Sequence, residues 1–281
     1  MEKVLVIGAT GNVGSALIEK LTTEGYSVKA ATRTPDHYPA TASVTAVKFD
    51  YSDHTTFDLA LEDVKVVEMI ALPMDLDAFG KLKPFIDKAK EQGVEHIVFT
   101  SAFGANANEE APLRKVENYL INSGVNYTIV RPNFFMENFS VGFLADQVRN
   151  GAIYLAASDG KTSFISVKDI ASVAVTAIKE KLYNQEFDLT GPEAFDHNEI
   201  VTMINNSIGA SVKYMDIPED TMLQGARDAG LPEDAVTYMG FLYQAVRNGW
   251  AAPVTDDIKK VTGNKPVSFK DFIEENKSRW V

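Results

Sequence analysis

The chain has 281 residues, 45% hydrophobic and 23% charged, which suits one large folded domain with a smaller appended lobe and excludes a low-complexity or disordered chain. Its 27 basic and 39 acidic residues leave a net charge of −12, which argues against a nucleic-acid-binding face and against adhesion to acidic lipid. There is no cysteine, so disulfides, thiolate catalysis and cysteine metal sites are excluded; the four histidines, His37, His54, His96 and His197, are scattered, and no metal is expected.

The first element is the apolar run Val4-Leu5-Val6-Ile7, which predicts a strand. Gly8-Ala9-Thr10-Gly11-Asn12-Val13-Gly14 follows, and Val13, Leu17, Ile18 and Leu21 then recur at helical spacing until Gly25. Each glycine has a separate task. Gly8 permits the turn off the strand, Gly11 lets backbone approach a pyrophosphate, and Gly14 lets the helix pack tightly on the strand. The amides that open such a helix face an anion, aided by the helix dipole. Ser27 to Thr32 reads as a second strand, so the βαβ unit closes within about thirty residues, as a dinucleotide fingerprint requires. An acidic residue after that strand would bond the ribose hydroxyls of NAD; the chain has Thr32-Arg33-Thr34 instead. The planar fork of Arg33 suits a 2′-phosphate, so NADP(H) is expected in preference to NAD(H).

Val44 to Phe49 reads as a third strand ending at Asp50, Val64 to Leu72 as a fourth ending at Pro73, Ile97 to Thr100 as a fifth ending at Ser101, and Tyr127 to Val130 as a sixth ending at Arg131-Pro132. Helices fill 55–61, 77–92 and 112–122. Near-continuous apolar strands alternating with helices predict an α/β fold, a doubly wound parallel Rossmann sheet over residues 1–150. Ligands in such sheets lie beyond the carboxyl ends of the strands. That rule nominates Gly8, Thr10, Gly11, Asn12 and Val13 around the pyrophosphate, Arg33 for the 2′-phosphate, Asp50 and Tyr51, and then Leu72, Pro73, Ser101, Pro132, Asn133 and Phe134 around the nicotinamide ribose and ring. Asp50 suits either the adenine amino group or its own turn. Glu68 interrupts the run Val66 to Ile70; an unpaired buried carboxylate is costly, so it requires a partner, a wet edge or an interface.

After residue 150 the pattern loosens. Ser166 with Asp169 three residues on reads as a capping box before the apolar helix Ile170 to Ile178. Phe187 to Thr190 suggests one more strand, so segments of 151–192 return to the Rossmann domain. Residues 193–281 read as a smaller, mostly helical C-terminal lobe. Met203, Met215, Met222, Tyr238, Met239, Phe241, Tyr243 and Trp250 are concentrated there, either as a small helical core or as an adaptable apolar substrate wall. No apolar run reaches the ~18 residues of a membrane span. The first strand begins at once, so no signal peptide is expected, and a cytoplasmic protein is the reading.

Taken in order, GATGNVG at 8–14, Ala31-Thr32-Arg33, Phe99-Thr100-Ser101, YTIVRPNFFMEN at 127–138, Phe164 to Ala171, Leu189-Thr190-Gly191-Pro192 and Val261-Thr262-Gly263 resemble the NmrA-like branch of the atypical short-chain dehydrogenases/reductases over nearly the whole chain. The resemblance implies NAD(P)(H) binding and a substrate cleft formed with the C-terminal lobe. It spans NADPH-dependent quinone reductases, reductases of other small molecules, and regulators that sense the dinucleotide without turnover. Reductases and epimerases of the wider superfamily use Y-x-x-x-K on the helix after the fifth strand, where lysine lowers the phenol pKa. That pair is missing here. With Glu117 matched to the acid that follows the lysine, Leu113 holds the lysine place and Glu109 the tyrosine place. The expected activity is an NADPH-dependent oxidoreductase passing hydride to a small quinone-like or aromatic acceptor, with no catalytic residue assigned. The alternative is a non-catalytic NAD(P)(H) sensor that binds a protein partner. A nucleotide-sugar epimerase is disfavoured, because it needs the missing base.

Overall fold

The computed structural model describes residues 2–280. The first half runs β1 (Lys3–Ile7), α1 (Asn12–Thr23), β2 (Ser27–Thr32), β3 (Val44–Lys48), α2 (Phe57–Leu61), β4 (Val66–Ile70), α3 (Ala78–Glu91), β5 (His96–Thr100), α4 (Pro112–Asn122) and β6 (Asn126–Pro132). The second half runs α5 (Ala145–Arg149), β7 (Ala152–Leu155), α6 (Val167–Lys179), β8 (Gln185–Leu189), α7 (His197–Ile208), β9 (Lys213–Asp216), α8 (Glu219–Asp228), α9 (Glu233–Arg247), α10 (Asp257–Thr262) and α11 (Phe269–Asn276).

Seven strands form one sheet in the order β3-β2-β1-β4-β5-β6-β8, every pair parallel. The expected doubly wound fold is the one observed. Its apolar strands follow from burial on both faces. Leu5, Val67, Met69 and Phe99 pack on one side with Leu82, Phe85, Val116 and Leu120. Val4, Val6, Val98 and Val130 pack on the other with Leu17, Ile170 and Ala174. β1 pairs with β2 on one side and β4 on the other, so the connections diverge there and open a crevice above the sheet.

Three sequence readings change. β4 ends at Ile70, two residues before Leu72; Leu72 is already 43% exposed and Pro73 brings no N–H to continue a ladder. Ser166 does cap α6, accepting from the Lys168 N–H at 3.2 Å, but no capping box forms. Asp169 turns instead to the Val267 N–H at 2.8 Å, and Glu137 fills the vacated role, accepting from Ser166 Oγ at 2.9 Å and from the Val167 N–H at 3.1 Å. The chain beyond β6 also contains a two-stranded parallel sheet, β7 with β9, that no sequence pattern announced. β9 is largely exposed, so it carries no apolar alternation. A third core joins Phe139 and Phe164 to Ile200, Met222, Tyr243, Phe269 and Phe272 of the C-terminal part. Among the described residues no helix is long and apolar enough to cross a membrane.

Candidate active site

The turn after β1 is built so that only glycine fits. Gly8 has φ of +75°, a left-handed conformation that L side chains rarely adopt. A Cβ on Gly14 would lie 2.2 Å from the Gly8 carbonyl oxygen, so α1 and the turn touch backbone to backbone. Gly11 stands at the N-cap of α1 with no side-chain cap, and the first turn carries no acidic residue. The first amides of α1 are left for an anion, and the loop fits a dinucleotide pyrophosphate.

From this loop a cleft of about 480 Å³ extends over the ends of β4, β5 and β6. Its lining includes Gly8, Gly11, Asn12 and Val13, then Leu72 and Pro73, then Ser101, Pro132, Asn133 and Phe134, so ten of the nominated residues meet at one place. Thr10, Arg33, Asp50 and Tyr51 do not line it. Thr10 is exposed in the loop. Arg33 is exposed just beyond β2, and pairing of Ile7 with Ala31 puts that strand end beside the glycine turn. Among the described residues Arg33 makes no ion pair. The Asp50 carboxylate accepts from the Ser52 N–H at 2.9 Å, the turn role of the two that were open. Tyr51 is corrected outright. Its ring is 3% exposed, edge-on to Phe49 and Phe85, and its hydroxyl donates to the Ile70 carbonyl at 3.0 Å. Its side chain faces the core because aromatic packing outweighs a place on the rim.

Asn133 lines the cleft but is also committed elsewhere. Its Nδ2 donates to Ser163 Oγ and to the Ala251 carbonyl, each at 2.8 Å, and it ties the end of β6 to the chain beyond α9. The outer wall comes from Phe143, before α5, and from Tyr238 and Leu242 of α9, with Phe143 51% exposed at the mouth. Of these, only Tyr238 stood out in the sequence. Leu113, at the place of the superfamily lysine, also faces the cleft, while Lys115 pairs at the surface with Glu110 at 2.7 Å.

Two carboxyls lie behind the cleft. Ser101 Oγ donates to Glu117 Oε1 at 2.6 Å. Glu117 is fully buried and also accepts from Arg131 through Nε at 2.8 Å and Nη2 at 2.9 Å, and from Arg114 Nη1 at 3.1 Å. Burial works against the Arg131 charge, but its bonds to Glu117 and Glu186 outweigh that and raise its pKa. On the other face Thr100 Oγ1 donates to Glu68 Oε1 at 2.7 Å. Thr100 is thus the partner that Glu68 required. Burial lifts the Glu68 pKa to about 8, the Thr100 bond opposing the shift. The remaining titratable groups in the lining are Asp75, paired with Lys81 at 2.7 Å, and Tyr238, whose phenol burial makes a weaker acid. Ser101 and Thr100 each have one proton, and each is engaged.

A sequence model of the NAD(P)H-binding family matches residues 8–181, from the glycine turn through α6. The chain belongs to this NAD(P)H-binding family. The cofactor is NAD(P)(H), and the NmrA-like resemblance is one of fold: a solved NmrA regulator in complex with NADP superposes with a TM-score of 0.79 at 15% identity, over 100% of this chain and 98% of that one. This NAD(P)H-binding protein is 31% identical over 278 residues to prestalk A differentiation protein A of Dictyostelium discoideum, covering 97% of this chain and 91% of the relative. It is 30% identical over 279 residues to an NAD(P)H azoreductase of Xenophilus azovorans, covering 96% of each. A solved NADPH-dependent quinone oxidoreductase of Escherichia coli, complexed with NADPH, superposes with a TM-score of 0.84 at 22% identity, over 97% of this chain and 99% of that one; at that identity the likeness concerns the fold.

Proposed function

We propose that this NAD(P)H-binding protein is an NADPH-dependent oxidoreductase that reduces a small, flat, quinone-like or aromatic acceptor. The bound dinucleotide supplies the hydride; the chain supplies placement and dryness. Gly8, Gly11, Asn12 and Val13 hold the pyrophosphate, Arg33 takes the 2′-phosphate, and Leu72, Pro73 and Phe134 enclose the nicotinamide half. One observation carries the acceptor class. The wall is apolar, with Leu72, Leu113, Phe143 and Leu242, and both hydroxyls at the end of β5 are bonded to buried carboxyls. An acceptor that takes hydride readily and draws its proton from water needs only proximity and orientation from such a cleft. Ser101 is then an acceptor toward its ligand, because its own hydroxyl hydrogen is donated to Glu117. The reductase activity named for the azoreductase relative supports the reading.

The missing Y-x-x-x-K and the apolar Leu113 also favour a second reading, a dinucleotide sensor without turnover. Purified protein mixed with NADPH and a panel of quinones and aromatic azo compounds separates the two, followed by loss of dihydronicotinamide absorbance. Turnover well above the enzyme-free rate is expected; tight NADPH binding with none across the panel moves the assignment to the sensor. For the 2′-phosphate site, Arg33→Ala is expected to weaken NADPH by roughly ten- to a hundred-fold, the worth of a charge-assisted contact, and NADH much less. Equal loss for both overturns the role given to Arg33.

A further inference from the structure

The geometry points to a proton linked to the oxidation state of the cofactor: we propose that Glu68 stays protonated beneath the reduced dinucleotide and releases its proton when the oxidised, cationic form binds. The inference rests on placing the nicotinamide half over β4–β6.

Glu68 lies in the middle of β4, between Val6 of β1 and Val98 of β5. It has no exposed surface, and Oε2 has no hydrogen-bond partner among the described residues. Its one bond is from Thr100, and Thr100 and Ile70, the next residues along the same sheet face, line the cleft. The carboxyl is therefore one step below the cleft floor and joined to it by a hydroxyl. The helices on that face present Val13, Leu17, Ile170 and Ala174, and no cation pairs with Glu68 among the described residues. Tyr51 is a titratable neighbour whose ionisation burial and a charged Glu68 both oppose, and its hydroxyl is tied to the Ile70 carbonyl. A carboxyl so placed is held toward its neutral form, because the single Thr100 bond offsets only part of the desolvation of its charge.

Hydride loss turns the neutral dihydronicotinamide into a ring with one positive charge. A positive charge above a low-dielectric floor attracts a carboxylate below it, and it lowers the cost of ionising Glu68. By linkage, the oxidised cofactor must then bind more tightly to the ionised protein. Its affinity rises with pH through the Glu68 titration and binding releases a proton, while the neutral reduced ring gives neither effect. The 2′-phosphate and the raised acids Asp169 and Glu137 are common to both measurements, so the difference between the two forms isolates Glu68.

The test is calorimetric titration of the full chain with NADP⁺ and with NADPH, from about pH 6 to about pH 9, in two buffers of different ionisation enthalpy. NADP⁺ is expected to tighten by about ten-fold relative to NADPH, the equivalent of one unit of pKa, with net proton release that NADPH lacks. Glu68→Gln keeps the size and the Thr100 contact and is expected to abolish the difference while still binding both forms. Infrared difference spectra of the unaltered protein provide a check independent of the variant's folding: NADP⁺ removes a protonated-carboxyl band near neutral pH and NADPH leaves it. Parallel pH dependence of the two forms, with both bound, overturns this inference alone. Failure of either form to bind overturns the cofactor site and this inference together.

Discussion

Glu68 and Glu117 are both fully buried, and each holds the hydroxyl of one of two consecutive residues at the end of β5, Thr100 and Ser101. Their surroundings are opposite. Glu117 receives four donors, three of them guanidinium N–H groups, whereas Glu68 has one hydroxyl and an orphaned oxygen. Burial alone therefore does not set the behaviour of a carboxyl. The number and charge of its donors decide whether it serves as a fixed anchor or as a group that can change its charge.

The largest effect should come from dismantling the anchor. Arg131→Leu leaves Glu117 buried without its bidentate partner, and about 3–5 kcal/mol of stability should be lost. Urea unfolding measures it; a loss under about 1 kcal/mol would mean that Arg114 and water replace Arg131 and that the contrast with Glu68 is smaller than drawn.

Glu68 should show itself through pH. Its folded pKa of about 8 is raised by burial above the unfolded carboxyl value of 4.5, so the folded state binds the extra proton between those two values. Its contribution is fully present below about pH 4.5, declines as pH rises, and is gone above about pH 8. Glu68→Gln should flatten that part of the stability profile and stabilise the protein at alkaline pH by a few kcal/mol relative to the unaltered chain. His96 and His197, held neutral by burial with pKa values of about 4, act in the other direction, losing stability as pH falls through the unfolded value of 6.5 toward 4. A Gln variant whose profile matches the parent from pH 5 to pH 9 would remove the charge-changing role.

The smallest effects belong to the hydroxyls. Ser101→Ala removes one donor of four from Glu117 and should cost about 0.5–1.5 kcal/mol at every pH. Thr100→Val removes the bond that holds the Glu68 pKa down, so its cost should be similar near neutrality, and the Glu68 titration should move to higher pH. Identical pH profiles for the two variants would erase the distinction between the carboxyls.

The cofactor half of the site was legible because its signals are local. Gly8, Gly11 and Gly14 act within seven residues of chain, and each strand could be found from an apolar run, its end to within about two residues. The rest was hidden by distance in sequence. Glu117 served only to align a motif, and nothing in its helix shows that Arg131 and Ser101 close around it. Tyr51 sits at a strand end like its neighbours, yet its ring is claimed by Phe49 and Phe85. Asp169 had capping spacing but found the Val267 amide, 98 residues away. Phe143, before α5, and Leu242, in α9, reach the cleft from stretches with no period pointing to it.

By itself, the sequence determined the parallel α/β sheet, the glycine turn and the nicotinamide dinucleotide it accommodates, because strand burial, turn conformation and close backbone approach depend on residues adjacent in the chain. Only the tertiary structure decided which hydroxyl meets which carboxyl, which acid is paired and which is left alone, and what walls the cleft. Those outcomes depend on the donors that folding brings together from β4, β5, α4 and β6, and electrostatics in a buried site is set by the nearest few ångströms of space, whatever the separation along the chain.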